Sequence, residues 1–186
     1  IGFLVDAGQN EGLNNNFTRI TIAQEATKNE IDSILVAQNE NLTERKRATA
    51  NLNYRYNNQQ GRTLNIDLDY GRYENRANRT QPNQYFDANE EVILTEVINS
   101  YDTPTDIDIA TAKVDFEEEI WGGKLGLGAK FSRVKTENSF LVFDGVNGSA
   151  VRNDSLSNLF DYDEKVNAGY ISFVRPLGEK WNLSAG

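Results

Sequence analysis

Between Ala48 and Tyr73, apolar and polar side chains take turns with almost no error on either side of NNQQG. Ala48, Ala50, Leu52, Tyr54 and Tyr56 alternate with Thr49, Asn51, Asn53 and Arg55; Leu64, Ile66, Leu68 and Tyr70 alternate with Asn65, Asp67 and Asp69. A period of two puts successive side chains on opposite faces of an extended chain, so each segment predicts a strand with one apolar and one polar face. The two strands meet at a turn near 57–62.

The rest of the chain repeats the pattern. Ala110, Ala112, Val114 and Phe116 oppose Thr111, Lys113, Asp115 and Glu117; beyond a turn near 119–124, Leu125, Leu127, Ala129 and Phe131 oppose Lys124, Gly126, Gly128 and Lys130. A third hairpin turns near 175–180, with Val166, Ala168, Tyr170 and Val174 as its apolar phase before the turn, and Trp181, Leu183 and Ala185 after it. Ser172 interrupts that phase, and Ile171 and Phe173 fall on the other. Phe3 and Val5 open an incoming strand that FTRITIAQ, residues 17–24, continues. Helix-period windows are scarce, and EEVILTEVI at 90–98 reads as one helical turn or a loop hairpin. GGKLGLGAK from Gly122 aligns with GEKWNLSAG from Gly178, so the repeating unit is a hairpin, too irregularly spaced for a solenoid.

Loop lengths are asymmetric. NNQQGR, EEIWGGK and RPLGEK are short, whereas the opposite connections, near 25–43, 74–106 and 136–162, read as long loops rich in Asn, Asp, Thr and Ser. Short turns at one end, long loops at the other and strands of roughly 10 residues form the pattern of an outer-membrane barrel. The expected fold is therefore all-β, an antiparallel meander of long hairpins over residues 1–186 that forms a segment of a large transmembrane β-barrel. Leu64, Ile66 and Leu68 are expected to face lipid, and Asn65, Asp67 and Asp69 the interior. Tyr54, Tyr56, Trp121 and Trp181 gather at the short-turn end, as an interfacial aromatic girdle would. Arg72 falls on the lipid phase, which predicts either a bulge at Gly71 that flips the register or a side chain that snorkels. A soluble sandwich shares the alternation, but Ala48, Ala50, Ala110, Ala112, Ala129, Ala168 and Ala185 would line its core too thinly.

Composition narrows the chemistry. A net charge of −9 over 186 residues opposes binding to a phosphate backbone, so nucleic acid is not an expected partner. Without Cys or His the chain has no thiolate nucleophile or ligand and no imidazole base. No apolar run reaches the roughly 20 residues of a spanning helix, and no leader precedes Ile1, which suggests a processed or excised chain.

LNIDLDYGRYENR, NQYFDANEEV, TPTDIDIATAKVDF, LGAKFSRVKTEN and FDYDEKVNAGYISFVRPLGEKWNLSAG, in this order over residues 42–186, resemble the outer-membrane β-barrel family related to TonB-dependent receptors. The resemblance implies a large barrel in the outer membrane of a Gram-negative bacterium that imports scarce nutrients such as metal chelates, vitamins or oligosaccharides. Its implied partners are outer-membrane lipid, the remaining barrel strands, an N-terminal plug and the TonB system. No plug domain is visible in the sequence, and no ligand contact of the family carries over to a numbered residue.

No catalytic, cofactor or metal site is expected. The adjacent carboxylates of Glu117, Glu118 and Glu119, and of Asp161, Asp163 and Glu164, read as solvated strand ends, since neighbours in a strand point to opposite faces. Asp102, Asp106 and Asp108 lack the spacing and Gly of a calcium hand and read as an acidic loop. The Asn-X-Ser/Thr matches are what an Asn-rich chain produces by chance. Ligand recognition is assigned to loop aromatics among hydrogen-bonding residues: Tyr85, Phe86, Tyr101, Phe140 and Phe143. The chain is expected to begin and stop mid-strand, leaving about seven strands with two unpaired edges.

Overall fold

The computed structural model describes residues 1–23, 30–58, 60–146 and 149–186. They form one antiparallel sheet: β1 (Gly2–Ile22), β2 (Ser33–Asn57), β3 (Thr63–Asp87), β4 (Ile93–Asp102), β5 (Thr105–Ile120), β6 (Gly123–Val146), β7 (Ser149–Arg152), β8 (Asn158–Pro176) and β9 (Asn182–Ala185). The path is β1-β2-β3, then β4 and β5 side by side with β3 and β6, then β8 and β9, with β7 on β6. β4 and β5 are one strand broken at Thr103–Pro104, because the register against both neighbours is unchanged across the break. Even there pairing persists: Thr103 N–H donates to Ala77 O at 2.9 Å, and Pro104 O accepts from Ser139 N–H at 3.0 Å.

All three expected tight turns are present. Trp121 and Gly122 both have positive φ, 54° and 67°, and join the paired residues Ile120 and Gly123. Two left-handed central residues give a hairpin the twist its strands require. Gly61 and Gly178, at φ 86° and 85°, serve the other two turns.

The opposite end differs from expectation. The stretches read as long loops are mostly strand, so β2 and β3 each run 25 residues rather than roughly 10. Polar residues on both faces there erase the alternation, yet backbone pairing continues from Asn57↔Thr63 to Ser33↔Asp87. Residues 25–29 of the first of those stretches and 147–148 of the third lie outside the described ones, as do Gln24 at the end of FTRITIAQ and Gln59 in the first tight turn. EEVILTEVI is the return arm of a hairpin: Asp87 Oδ1 accepts from Glu91 N–H at 2.8 Å and Val92 N–H at 2.9 Å, while Glu90 turns the chain at φ 61°.

Burial is slight. Ile34, Ala37 and Val142 are the buried apolar residues among those described, all in the half away from the tight turns. The accessible surface is 13,305 Å², whereas a globular chain of 20.9 kDa exposes roughly 9,000 Å². Among the described residues no two-layer core forms. The sheet is also open, since β1 pairs with β2 and with neither β8 nor β9 among the described residues.

Candidate functional site

Residues directly opposite in an antiparallel pair share a face, so the registers sort side chains across the sheet. One row reads Phe3, Leu52, Leu68, Ala112, Phe131; the next reads Leu4, Asn51, Asp69, Thr111, Ser132. We call these the Leu68 face and the Asp69 face. The expected partition of Leu64, Ile66, Leu68, Ala112 and Val114 from Asn65, Asp67, Asp69, Lys113 and Asp115 is that of the sheet.

Two expectations are corrected. In β8, Ile171 pairs with Leu127 and Phe173 with Leu125, which puts both on the Leu68 face. Tyr170, opposite Gly128, and Val166, opposite Ser132, lie on the Asp69 face, as do Ala168 and Val174. Gly71 carries no bulge, because pairing runs unbroken from Tyr70↔Ala50 through Arg72↔Ala48. Arg72 therefore stays on the Leu68 face, its Nε 2.8 Å from Glu74 and its Nη1 3.8 Å from Asp108.

Arg72 marks a change of character on that face. Nearer the turns it is apolar: Tyr56, Leu64, Phe116, Leu127 and Ile171 form one row, and Trp121 packs edge-on against Phe173 with centroids 6.4 Å apart. Farther out it carries ion pairs. Arg76 Nη2 donates to both Asp106 oxygens at 2.8 Å, Arg133 grips Asp163 at 2.9 and 2.6 Å, and Lys135 meets Glu137.

The border between these zones is oblique. The last apolar residue of each strand on this face is Ala7 on β1, Ala48 on β2, Tyr70 on β3, Ala110 on β5, Phe131 on β6 and Gly169 on β8. From β1 to β8 the border recedes by six residues, roughly 20 Å along the strands across roughly 24 Å of sheet, a slope of about 40°. The turn end shifts in the same sense, since β5 runs three residues past Glu117, the partner of the first β3 residue. An apolar belt that is horizontal in a bilayer crosses tilted strands in this way, and transmembrane strands tilt by roughly 35–45°.

The Asp69 face is polar opposite the belt. Asn51 Nδ2 donates to Asp69 at 2.6 Å, Lys113 meets Asp115 at 2.6 Å, and Tyr170 Oη donates to the same Asp115 at 2.6 Å. Beyond the belt it gains rings and amides, including Tyr73, Asn75 and the stacked pair Phe160 and Tyr162, 6.4 Å apart. Here a recess of about 750 Å³ is lined by Gly8, Arg45, Arg47, Tyr73, Asn75 and Ile107, among others.

The five aromatics expected in loops all lie in strands, and on two faces. Tyr101 and Phe140 stack at 5.9 Å on the Asp69 face; Tyr85 is on that face too, six residues beyond Arg79, the partner of Tyr101. Phe86, opposite Ile34, and Phe143, opposite Ser100, occupy the Leu68 face. The acidic stretch DTPTDID is strand on either side of the Thr103–Pro104 break, with Asp106 and Asp108 engaged by Arg76, Arg72 and Tyr70. Glu117 and Glu118 point to opposite faces, toward Lys124 and Arg62. The recess went unnoticed in the sequence because its residues come from separate strands; a signal was present in Arg45 and Arg47, two residues apart on the polar phase.

Long paired strands, a tilted apolar belt with a polar reverse face, and tight turns at one end define the wall of a membrane-spanning β-barrel. Residues 57–186 match the outer membrane protein beta-barrel family, and the chain belongs to it. It is an outer-membrane protein. No curated protein matches the chain.

Proposed function

We propose that this chain forms part of the wall of a TonB-dependent receptor that takes up a nutrient across the outer membrane. The observation that carries the reading is the oblique belt backed by a polar face, and in this reading the Leu68 face meets lipid and the Asp69 face an aqueous lumen. Further strands pair along the open edges and close the barrel, since closure removes unpaired backbone groups. An N-terminal plug and the TonB system supply gating and energy. Tyr101 and Phe140, with Tyr85 farther along, offer stacking area on the lumen wall.

The test is uptake in cells that carry the native locus. Accumulation of the solute should collapse when the locus is deleted and also when TonB is inactivated. Uptake that persists without TonB would make the barrel a passive pore, and deletion without effect on any solute would remove the transport reading.

A further inference from the structure

We propose that the recess on the Asp69 face is a binding site for an oxyanion-bearing, hydroxyl-rich solute. The inference rests on the lumen assignment above and adds the chemistry of the ligand.

The local geometry starts from glycine. Gly8, Arg47, Tyr73 and Ile107 form one row, and Asn10, Arg45, Asn75 and Thr105 the next. A methyl group added at Gly71 would lie 3.1 Å from Tyr73 Cε2, and one added at Gly8 would lie 3.3 Å from Arg47 Nε. Tyr73 thus leans along its own strand toward the membrane zone, and Arg47 leans across to β1. Both movements clear the floor between the two rows.

Charge at this floor is positive although the chain is acidic. Arg45 and Arg47 stand on one strand face, two residues and therefore roughly 7 Å apart. Arg45 donates to Asn75 Oδ1 at a long 3.3 Å, and Arg47 has Asp6 at 3.3 Å with its own side chain 61% exposed. Both guanidiniums retain free N–H groups, and a planar fork of donors suits a carboxylate or a phosphate. Asp6, beside Arg47, is the one acid of the neighbouring rows on this face; by register the Glu44 and Glu74 side chains project from the opposite face, where Lys46 holds Glu44 and Arg72 holds Glu74, although Glu74 also borders the recess.

The recess continues past Arg45. A second hollow of about 240 Å³ shares Asn10 and Arg45 with the first and extends along Gly12, Asn14, Asn41 and Thr43. Each Asn amide presents both a donor and an acceptor, which is what a hydroxyl satisfies. From Arg47 to Asn41 is six residues, roughly 20 Å, so the trough accommodates a solute longer than a lone ion. The Tyr73 ring closes one end as a stacking surface.

The full protein that carries this chain, folded into lipid bilayers, is titrated by calorimetry with glucuronate, glucose 6-phosphate and neutral glucose. Both acids should bind saturably and glucose at least tenfold more weakly; the stronger acid identifies the oxyanion as carboxylate or phosphate. Arg45→Gln and Arg47→Gln should each weaken the acids about tenfold, whereas Arg133→Gln, on the Leu68 face, should not. Equal binding of glucose, or equal weakening by Arg133→Gln, overturns the site, as does absence of binding by both acids. Circular dichroism of the variants, unchanged in the bilayer, keeps misfolding apart from lost recognition. Binding that depends on Arg45 and Arg47 in a barrel that takes up no solute would defeat the transport reading alone.

Discussion

Gly128 and Tyr170 show how closely single residues are fitted to one another. They are direct cross-strand partners, and a methyl group on Gly128 would lie 1.9 Å from Tyr170 Cε1, so the ring lies over the glycine. The same ring carries the hydroxyl that donates to Asp115. Gly128→Ala should force the ring off and cost roughly 1–3 kcal/mol, the range of overpacking. Urea unfolding from lipid vesicles measures it, and Tyr170→Ala in the same chain should recover most of the loss. At the far end Asp87 caps its hairpin. Backbone N–H bonds from Val92 and Glu91, in that order of weight, hold its carboxyl below the usual carboxylate range. A depressed pKa stabilises the tip above the unfolded value of roughly 3.9, and this stability is lost as pH falls through the folded value. Amide exchange at Glu91 and Val92, corrected for its intrinsic pH dependence, should accelerate only on acidification, and should be fast at neutral pH in Asp87→Ala.

Among the elements, β8 is where phase was hardest to read. Large apolar residues sit on both of its faces, so alternation within the strand cannot choose between them. Pairing with β6 decides: Ile171 and Phe173 join Leu127 and Leu125, while Tyr170 and Ser172 face Gly128 and Gly126. Single cysteines at 171 and 173 should react with lipid-phase reagents, and those at 170 and 172 with water-soluble ones; the opposite partition would refute the register. The belt makes a second forecast. Val114→Arg, inside it, should destabilise the barrel by roughly 2–4 kcal/mol, the cost of a cation near the bilayer midplane. Lys135→Arg, beyond its border, should change stability little in the same assay.

At the scale of the whole molecule, the excess of exposed surface is the governing fact. Trp121 and Trp181 are 74% and 75% exposed, and apolar side chains along the belt are exposed with them. Contiguous apolar surface of this size requires a cover. Without lipid or detergent the chain should therefore associate, and sedimentation in plain buffer should show large species that detergent disperses. A dilution-resistant monomer in plain buffer would contradict the assignment of the Leu68 face to lipid.

Around the first two tight turns the sequence by itself determined the strands and their faces, because period-two alternation and turn glycines are local properties; before the third it marked the turn but not the faces of β8. Leu64 to Tyr70 and Ala110 to Phe116 were legible for that reason. Beyond Arg72 the code fails: with Asn, Asp and Thr on both faces, strand and polar loop have the same composition, and only pairing with a neighbour shows that β3 continues to Asp87. Position across the sheet is nonlocal in the same sense. Neither the slope of the belt nor the meeting of Gly8, Arg47 and Tyr73 is contained in any one segment, since both depend on the stagger between strands. That stagger is set by the registers of successive hairpins, which tertiary structure alone decides.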